Sequence, residues 1–600
     1  MPGGLLNIVA YGELNSILNG NPSKTFFKTT YAKYTNFGLQ KFRIDYKGLK
    51  SLRLTDDSTF TFEIPSHGDL LMDTYFSVKL PDIYSPIYAD LSSNLTYDLS
   101  FVQPYEFKWI KNLGFNMIKN IRFMIDGTII QEFTGHYLYN MIQRDFSDDK
   151  KKLVDEMTGN TRDLNDPANY SNRNGNYPNA SNNNFGINDW INGPEPSIRG
   201  RRIYIPLNIL STLISEMALP LVSIEYSKVY IEIVCRPIQE LFVIRDTSWL
   251  NTAAEYNKIV TDSSYAWSVA DRYNYYNPPY IAPSFNNPAH QMFYFLHAPP
   301  YNKYYVTGTS YDTTDPNGSY LNITNSWDQD IHLITTYSFL DKEERRFFAG
   351  RPQNYLIKQV SEKTNYNVLN TQRARIDNKG LTTSFMWFFQ RTDVNLRNQW
   401  SNYTNWEDDV SPYPCILSKD ISLLNVNPYP PEYPTPSLFN SQTHKYSNLF
   451  VTGPFHIENQ KNIMTDWGLI IDSQVRETIF DAGITNYTEK YTKTTGNSES
   501  GIYCYNFCLT TDPYSTQPTG AINLSKFTDV EFEYSTIQPF DLSYVSQQNQ
   551  MLNCDISGNI LGVDKPNIMD YQYKYNLHIM QETYNVLNFN NGLVSFTFSQ

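Results

Sequence analysis

The chain contains 600 residues, of which 15% are aromatic and 18% charged, with 33 Pro and 28 Gly. This balance favours strands and turns over charge-rich helices, so we expect an all-β protein with long polar loops. The formal net charge of −13, without a long run of Lys and Arg, argues against direct contact with nucleic acid.

Two further features of composition bear on location. No apolar stretch reaches about 18 residues, and no basic segment precedes an apolar one at the amino terminus, so neither a membrane-spanning helix nor a secretory signal is predicted. Five cysteines are few for this length and indicate reduced thiols. Cys504 and Cys508 are interpreted as small inward-facing residues of a strand, because no second Cys or His pair follows to complete a metal site.

The first segment in chain order is an arm, residues 1–30. Its apolar residues are interspersed with Gly, Asn and Ser, which is too irregular for a core strand and too apolar for a tail left in water. We expect the arm to dock either against a partner at the base of the molecule or beneath its own barrel.

Strand patterns follow along most of the chain. Apolar residues alternate with polar ones at 59–64 and 76–80, as half-buried strands require. Asp126-Gly127 separates two β-prone runs and predicts a hairpin, because both turn positions need positive φ. Further strands are expected at residues 229–234 and 384–389.

Helical patterns are few and short. One covers residues 136–146, and a second is expected at 207–218, between Pro206 and Pro220. Asp341 and Glu344 predict a capping box that opens a third helix. Strands do not alternate regularly with helices of 10–15 residues, which excludes doubly wound and TIM-barrel folds.

Long polar stretches interrupt these elements. Residues 160–198 and 245–330 are rich in Asn, Tyr, Gly and Pro, and 425–448 and 541–567 are further candidate insertions. Loops of this length are usually functional or disordered. We interpret them as exposed insertions on the rims of the folded domains.

Motifs at the amino terminus carry a resemblance to a known family. Residues 3–6, 9–12, 20–22, 25–28 and 34–37 occur in an order that resembles the start of the major capsid proteins of large nucleocytoplasmic DNA viruses, the double jelly-roll family, of giant-virus type. Similar blocks follow in the expected order at 206–241, 337–357, 501–527 and 584–593. The block at 337–349 is the most specific of them and resembles the crossing from the first barrel to the second.

The resemblance implies two tandem eight-stranded antiparallel jelly rolls, the first in residues 31–348 and the second in 349–600. It also implies a structural subunit that forms homotrimeric, pseudo-hexameric capsomers and tiles an icosahedral shell. Expected partners are neighbouring capsomers and minor capsid and penton proteins, close to an inner membrane that the chain does not span. The implied location is the virion capsid, with synthesis and assembly in the host cytoplasm.

Signals for chemistry are missing from the sequence. It contains no HExxH, GxSxG or GxGxxG motif, so no catalytic, cofactor-binding or metal-binding residue is assigned and no enzyme is expected. Asn-X-Ser/Thr sequons are about as frequent as chance supplies. The resemblance allows glycans on outer loops, with candidates at Asn317, Asn322, Asn402 and Asn486.

Two alternatives of a different class stay open. The Tyr- and Asn-rich loops could stack on sugar rings, which is typical of a carbohydrate-binding β-sandwich protein. Acidic clusters such as residues 406–409 could also supply the carboxylate pair of a glycoside hydrolase or the ligands of a calcium site. A solvated turn is the simpler interpretation of that cluster.

Overall fold

The computed structural model describes most of the chain. The described residues are 2–48, 51–85, 105–173, 177–178, 196–211, 213–246, 280–287, 290–296, 326–406, 439–440, 445–446, 460–539, 552–554, 560–563, 573–590 and 592–598.

The first half of the chain builds two four-stranded antiparallel sheets. Its strands are β1 (Phe37–Ile44), β2 (Ser58–Ile64), β3 (Leu70–Lys79), β4 (Tyr105–Trp109), β5 (Ile118–Ile125), β6 (Thr128–Phe133), β7 (Arg202–Pro206), β8 (Val229–Cys235), β9 (Phe242–Asp246) and β10 (His332–Leu340). One sheet has the order β1-β10-β3-β7 and the other β2-β8-β5-β6, while β4 pairs with β9 beside them. The eight sheet strands form one jelly roll.

The second half repeats this arrangement. Its strands are β11 (Gln353–Val368), β12 (Gln372–Arg375), β13 (Leu381–Arg391), β14 (Phe439–Asn440), β15 (Lys445–Tyr446), β16 (Met464–Ile471), β17 (Gln474–Asp481), β18 (Ile502–Asn506), β19 (Ile522–Asn523), β20 (Val530–Thr536), β21 (Leu552–Cys554), β22 (Ile560–Val563), β23 (Tyr575–Asn590) and β24 (Leu593–Phe596). The two main sheets are β11-β23-β13-β18, extended by β19 and β24, and β12-β20-β16-β17. The short strands pair as β14-β15 and β21-β22.

The two halves have the same topology. When the eight sheet strands of each half are counted in chain order, one sheet reads 1-8-3-6 and the other 2-7-4-5 in both halves. The prediction of an all-β chain with two tandem eight-stranded jelly rolls is therefore confirmed.

Alternating burial explains why these segments form sheets. Along β2 and β8 every second side chain is buried between the two sheets of the first barrel. In the second barrel, Trp387 of β13 stacks on Trp467 of β16 with ring centroids 5.1 Å apart. Phe532 of β20 meets the ring of Trp467 edge-on at 5.3 Å. Large aromatic side chains thus fill the space between the sheets.

The hairpin between β5 and β6 confirms the prediction made from Asp126-Gly127. Asp126 has φ 50° and Gly127 φ 79°, as the tight two-residue turn requires. The backbone N–H of Asp126 donates to the carbonyl of Lys228, which ties the turn to the start of β8.

Helices connect the strands. They are α1 (Gly3–Val9), α2 (Ser16–Asn19), α3 (Leu113–Met117), α4 (Gly135–Asp145), α5 (Asp148–Thr158), α6 (Arg162–Asn165), α7 (Phe293–Leu296), α8 (Lys342–Gly350) and α9 (Glu489–Lys493). The predicted helices at 136–146 and after Asp341 are confirmed as α4 and α8. The predicted capping box does not form, because the Asp341 carboxylate accepts a hydrogen bond from the N–H of Lys342, at 2.8 Å, instead of that of Glu344.

The helix expected at residues 207–218 is wrong. This segment contains two short 3₁₀ turns, Ile209–Ser211 and Ser215–Met217, and Asn208 and Leu210 have positive φ. The N–H of Leu210 instead donates to the Gln131 side chain at 2.8 Å, so tertiary contacts override the local pattern. Helix α5, by contrast, has 11 residues and was not predicted.

Several predicted segments lie partly outside the described residues. These are 174–176, 179–195, 247–279, 288–289, 297–325, 425–438, 441–444, 447–448, 541–551, 555–559 and 564–567. Parts of the expected insertions are folded, however, since Leu164 and Phe295 are fully buried. The division into arm, barrels and insertions stays a prediction. Among the described residues, helices long and apolar enough to cross a membrane are absent.

Candidate functional site

The junction between the two barrels is a buried polar site. Strand β13 explains how it forms, because ten of its 11 residues are buried. Phe385, Trp387 and Phe389 face the core of the second barrel. Met386 and Phe388 point the other way and belong to the same buried cluster as the first-barrel core. A strand buried on both faces reads as a continuous apolar run, as residues 385–389 do.

Helix α4 supplies the first barrel's side of this junction. It begins after Thr134, whose hydroxyl accepts from the N–H of Tyr137 at 3.3 Å, as an N-cap does. Gly135 allows the close approach to α3, because a Cβ there would overlap the carbonyl oxygens of Phe115 and Ile118. The carboxyl end of α4 places Arg144 and Asp145 against the second barrel.

Arg144 binds two carboxylates, that of Asp145, its neighbour in sequence, and that of Glu582, which is distant in the chain. Its Nη2 lies 2.7 Å from Asp145 Oδ2 and 2.9 Å from Glu582 Oε1 of β23. All three side chains are 1% exposed. Each carboxylate accepts further hydrogen bonds from side-chain hydroxyls: Tyr137 to Glu582 Oε1 at 2.9 Å, Ser384 to Glu582 Oε2 at 2.6 Å, and Thr511 to Asp145 Oδ1 at 2.5 Å.

The pKa values of the two acids in this cluster shift in opposite directions. Burial alone would raise the pKa of Glu582, but the Arg144 charge and the hydrogen bonds lower it to about 2. Burial dominates at Asp145 and raises its pKa despite the Arg144 guanidinium. Because each charged atom is matched by neighbouring donors or acceptors, the cluster is suited to hold the barrels in one orientation.

Histidines and aromatic residues form the second part of the junction. His136 of α4 hydrogen-bonds Tyr403 through Nδ1 at 3.0 Å, and His578 of β23 hydrogen-bonds Thr364 at 3.0 Å. The His578 ring stacks on Phe388 with centroids 4.7 Å apart. Burial, with the charge of Arg236, lowers the pKa of His136 well below its usual value and that of His578 to about 4. Both imidazoles are therefore neutral at physiological pH.

Backbone groups complete the junction. Gln131 Nε2 donates to the Lys358 carbonyl at 2.6 Å, and Gln359 Nε2 donates to the Ile130 carbonyl at 2.9 Å, across β6 and β11. The N–H of Gly496 donates to the Arg144 carbonyl at 2.9 Å. The contacts come from both halves of the chain, so the barrels pack as one unit.

A cavity of about 320 Å3 lies beside this junction and bears on the carbohydrate-binding alternative. Tyr280 and Trp400 line it. Lys108 lies 3.9 Å from the Tyr280 ring centroid and Arg236 lies 4.2 Å from that of Trp400. Cations thus already cover a face of each ring, which is where a sugar would stack.

The sequon residues have different surroundings. Asn402 and Asn486 are buried, and their amides hydrogen-bond Gln399 at 2.8 Å and Ser500 at 3.1 Å. A glycan on either amide would have to replace these bonds. Asn317 and Asn322 lie outside the described residues, and glycosylation of the four positions stays a prediction.

The other residues singled out in the sequence do not come together. Cys504 and Cys508 are buried free thiols, and burial raises the pKa of both. Across the described ranges, no group of three or more His, Cys, Asp or Glu side chains is placed to hold a metal ion. Residues 407–409 lie outside those ranges. Sequence reasoning missed Arg144 and Glu582, because nothing local links residues 438 positions apart.

Two surfaces of the molecule expose apolar side chains. Residues 2–41, the arm with the start of β1, are exposed throughout. Strand β17 ends its sheet and has seven of eight residues exposed. Monomeric proteins rarely leave large apolar patches in water, so both surfaces are candidates for protein contacts.

Comparison with known proteins identifies relatives. Residues 25–276 match the family described as major capsid protein N-terminus. The chain is 24% identical over 401 residues to the probable capsid protein 4 of Acanthamoeba polyphaga mimivirus, covering 62% of this chain and 69% of that protein. It is 26% identical over 243 residues to the major capsid protein of Phaeocystis pouchetii virus, covering 40% of this chain and 42% of that one.

Solved structures agree on the fold. PBCV-1 VP54, as fitted into a reconstruction of the virophage Sputnik, aligns with a TM-score of 0.54 and 16% identity over 96% of this chain and 100% of that chain. The Faustovirus major capsid protein aligns with a TM-score of 0.52 and 13% identity over 94% of this chain and 92% of that chain. At such identities the likeness establishes the fold.

Proposed function

We propose that this chain, which belongs to the double jelly-roll major capsid protein family of large DNA viruses, forms trimeric capsomers that tile an icosahedral shell. The observation that carries the proposal is the repeated topology, two complete eight-stranded barrels in one chain. Three copies around a threefold axis present six barrels, which gives a pseudo-hexagonal outline able to pave a flat facet.

The buried junction supports this role. A tile keeps its outline only when its two barrels hold a fixed orientation, and the Arg144 cluster bonds them through side chains that are 1% exposed. Breaking a buried ion pair typically costs several kcal/mol. The junction therefore resists hinge motion between the barrels.

Contacts beyond the trimer follow from the same proposal. The capsomer meets neighbouring capsomers and minor capsid and penton proteins, close to an inner membrane. The chain acts in the virion capsid after synthesis and assembly in the host cytoplasm. Its negative net charge of −13 supports a position in the shell without direct contact with packaged DNA.

A structural role also fits what is known of the relatives. The relatives matched in sequence are named as capsid proteins, and the Faustovirus structure is that of a major capsid protein. We assign no catalytic activity to the chain.

Solution mass tests the proposal. Light scattering of the purified protein should give three times the chain mass of 69.7 kDa. Obligate interfaces are large and apolar, so dilution to nanomolar concentration should leave the trimer intact. A folded monomer or dimer at micromolar concentration would contradict it. Binding of free sugars by such a monomer would favour the carbohydrate-binding alternative. Single-particle images should show a pseudo-hexagonal outline.

A further inference from the structure

An extended part of the arm has the character of a strand but lacks strand partners. Residues 25–31 read Thr-Phe-Phe-Lys-Thr-Thr-Tyr, a run of aromatic and β-branched residues that favours sheet. Phe26, Phe27 and Tyr31 are 88%, 98% and 84% exposed. In the described part of the chain, these residues form neither helix nor strand.

The edge of one sheet has the complementary property. In the sheet β12-β20-β16-β17, the outer edge of β17 pairs with no described strand. Val475, Ile479 and Phe480 are 62%, 59% and 41% exposed. Open, apolar edges are sites where another extended segment adds as a strand, with main-chain hydrogen bonds supplying the affinity.

Charge agrees with such a pairing. Residues 24–33 contain Lys24, Lys28 and Lys33 and no carboxylate. Asp481 of β17 lies opposite Asp466 of β16, so two acids lie side by side at one end of the sheet. The other acid of β17, Glu477, is paired with Arg476 at 2.7 Å. A lysine-bearing strand added beside β17 would lie next to Asp481, which forms no ion pair with another described residue, and Asp466 would lie one strand further in.

We propose that residues 25–31 of one copy add as a fifth strand to the β17 edge of a neighbouring copy. The period of two along an added strand places Phe27 and Tyr31 on one face and Phe26 and Lys28 on the other, matching an edge exposed on both faces. Among the described residues, no hydrogen bond joins residues 25–31 to β17 within one chain, so both segments have main-chain groups free to pair with another copy. This inference rests on the proposed self-assembly and specifies one of its contacts.

Cysteine cross-linking between two variants tests this strand exchange, in which the arm of one copy binds the β17 edge of another. Phe26→Cys and Ile479→Cys are made as separate proteins, mixed under conditions that allow subunit exchange, reassembled and oxidised. A disulfide between the two introduced cysteines then links different copies. We expect a product of twice the chain mass, and a mixture of Phe26→Cys with Tyr366→Cys, another exposed position, should not give it.

Two controls separate the outcomes. The parent protein measures cross-linking through native cysteines, of which Cys235, Cys504 and Cys508 are buried. The double variant Phe26→Cys/Ile479→Cys reports docking within one copy. If only this double variant forms a disulfide, and it is intrachain, the exchange is overturned.

A second measurement keeps the two proposals distinguishable. In the assembled parent, hydrogen exchange of residues 474–481 should be slow, and Phe27→Asp should accelerate it while leaving exchange in β13 unchanged. If trimers form without cross-links or protection at β17, the strand exchange fails and the capsomer proposal stands. If the chain stays monomeric, the capsomer proposal itself fails.

Discussion

Arg144 shows how one side chain can define the relation between two domains. It lies at the end of α4, yet its partner Glu582 is 438 residues away on β23. The guanidinium forms paired N–H bonds to Asp145, at 2.9 and 2.7 Å, and also reaches Glu582. A lysine in its place could not bond both acids in this way, because its single ammonium lacks the planar fork.

Arg144→Met should destabilise the protein strongly. The change leaves two buried carboxylates without their cation, so we expect a loss of about 3–5 kcal/mol in the free energy of unfolding, measured by denaturant titration. Arg373→Met is the control, because this arginine pairs with Glu533 at 2.8 Å but is 57% exposed. The control should lose at most about 1 kcal/mol. Equal losses in both variants would contradict a structural role for the buried cluster.

His578 makes the junction sensitive to acid. Its pKa falls from 6.5 to about 4 on folding, so well above pH 6.5 it is neutral in both the folded and the unfolded state. Between these values the unfolded chain binds a proton that the folded chain excludes. Stability therefore falls as the pH falls, by about 1.4 kcal/mol per pH unit from this group.

His578→Phe should flatten that dependence. Denaturant titrations between pH 6.5 and 5 should show a smaller loss of stability in this variant than in the parent. Thr364→Val removes the hydrogen bond to the imidazole but keeps the titrating group, so it should retain the parent's slope. An unchanged slope in His578→Phe would assign the acid sensitivity to other groups.

At the scale of elements, local sequence patterns predicted the strands and turns that depend on neighbouring residues alone. The alternation at 59–64 predicted β2, and Asp126-Gly127 predicted the β5-β6 hairpin. Both predictions succeed because alternating burial and turn geometry depend on residues that are adjacent in sequence. Residues 207–218 looked helical between two prolines, but the bond from Leu210 N–H to Gln131 and the positive φ of Asn208 and Leu210 come from packing. The Arg144 cluster could not be predicted from local patterns, because only the complete topology brings α4 next to β23.

The β5-β6 turn offers a clean test of backbone strain. A Cβ at Gly127 would meet no atom within 4 Å, but its φ is 79°. Gly127→Ala should therefore cost about 1–2 kcal/mol through strain alone. Gly38→Ala in β1 also adds a Cβ in open space, without a positive φ, and should cost less. Similar losses in denaturant titrations would show that strain at the turn is not the cause.

At the scale of the molecule, long insertions should be dispensable. Residues 179–195 are flanked by anchored chain, since the N–H of Ser197 donates to the Ile83 carbonyl at 2.7 Å and the Tyr177 hydroxyl donates to the Phe107 carbonyl. Replacement by a short Gly-Ser linker changes closure entropy little.

The expected result is a trimer that melts within about 4 °C of the parent, measured by calorimetry and light scattering. Loss of folding would place this segment in the barrel or the trimer contact.

The pairing of β1 with β10 has a consequence for biosynthesis. Phe37 lies opposite Leu340, so the first barrel cannot close until its last strand has left the ribosome. At 5–20 residues per second, the roughly 300 intervening residues take about 15–60 s to synthesise. Throughout that interval β1 lacks the strand that it pairs with, and many ribosomes on one message would hold such unfinished barrels side by side. The yield of folded protein should therefore depend on keeping these unpaired strands of neighbouring nascent chains apart.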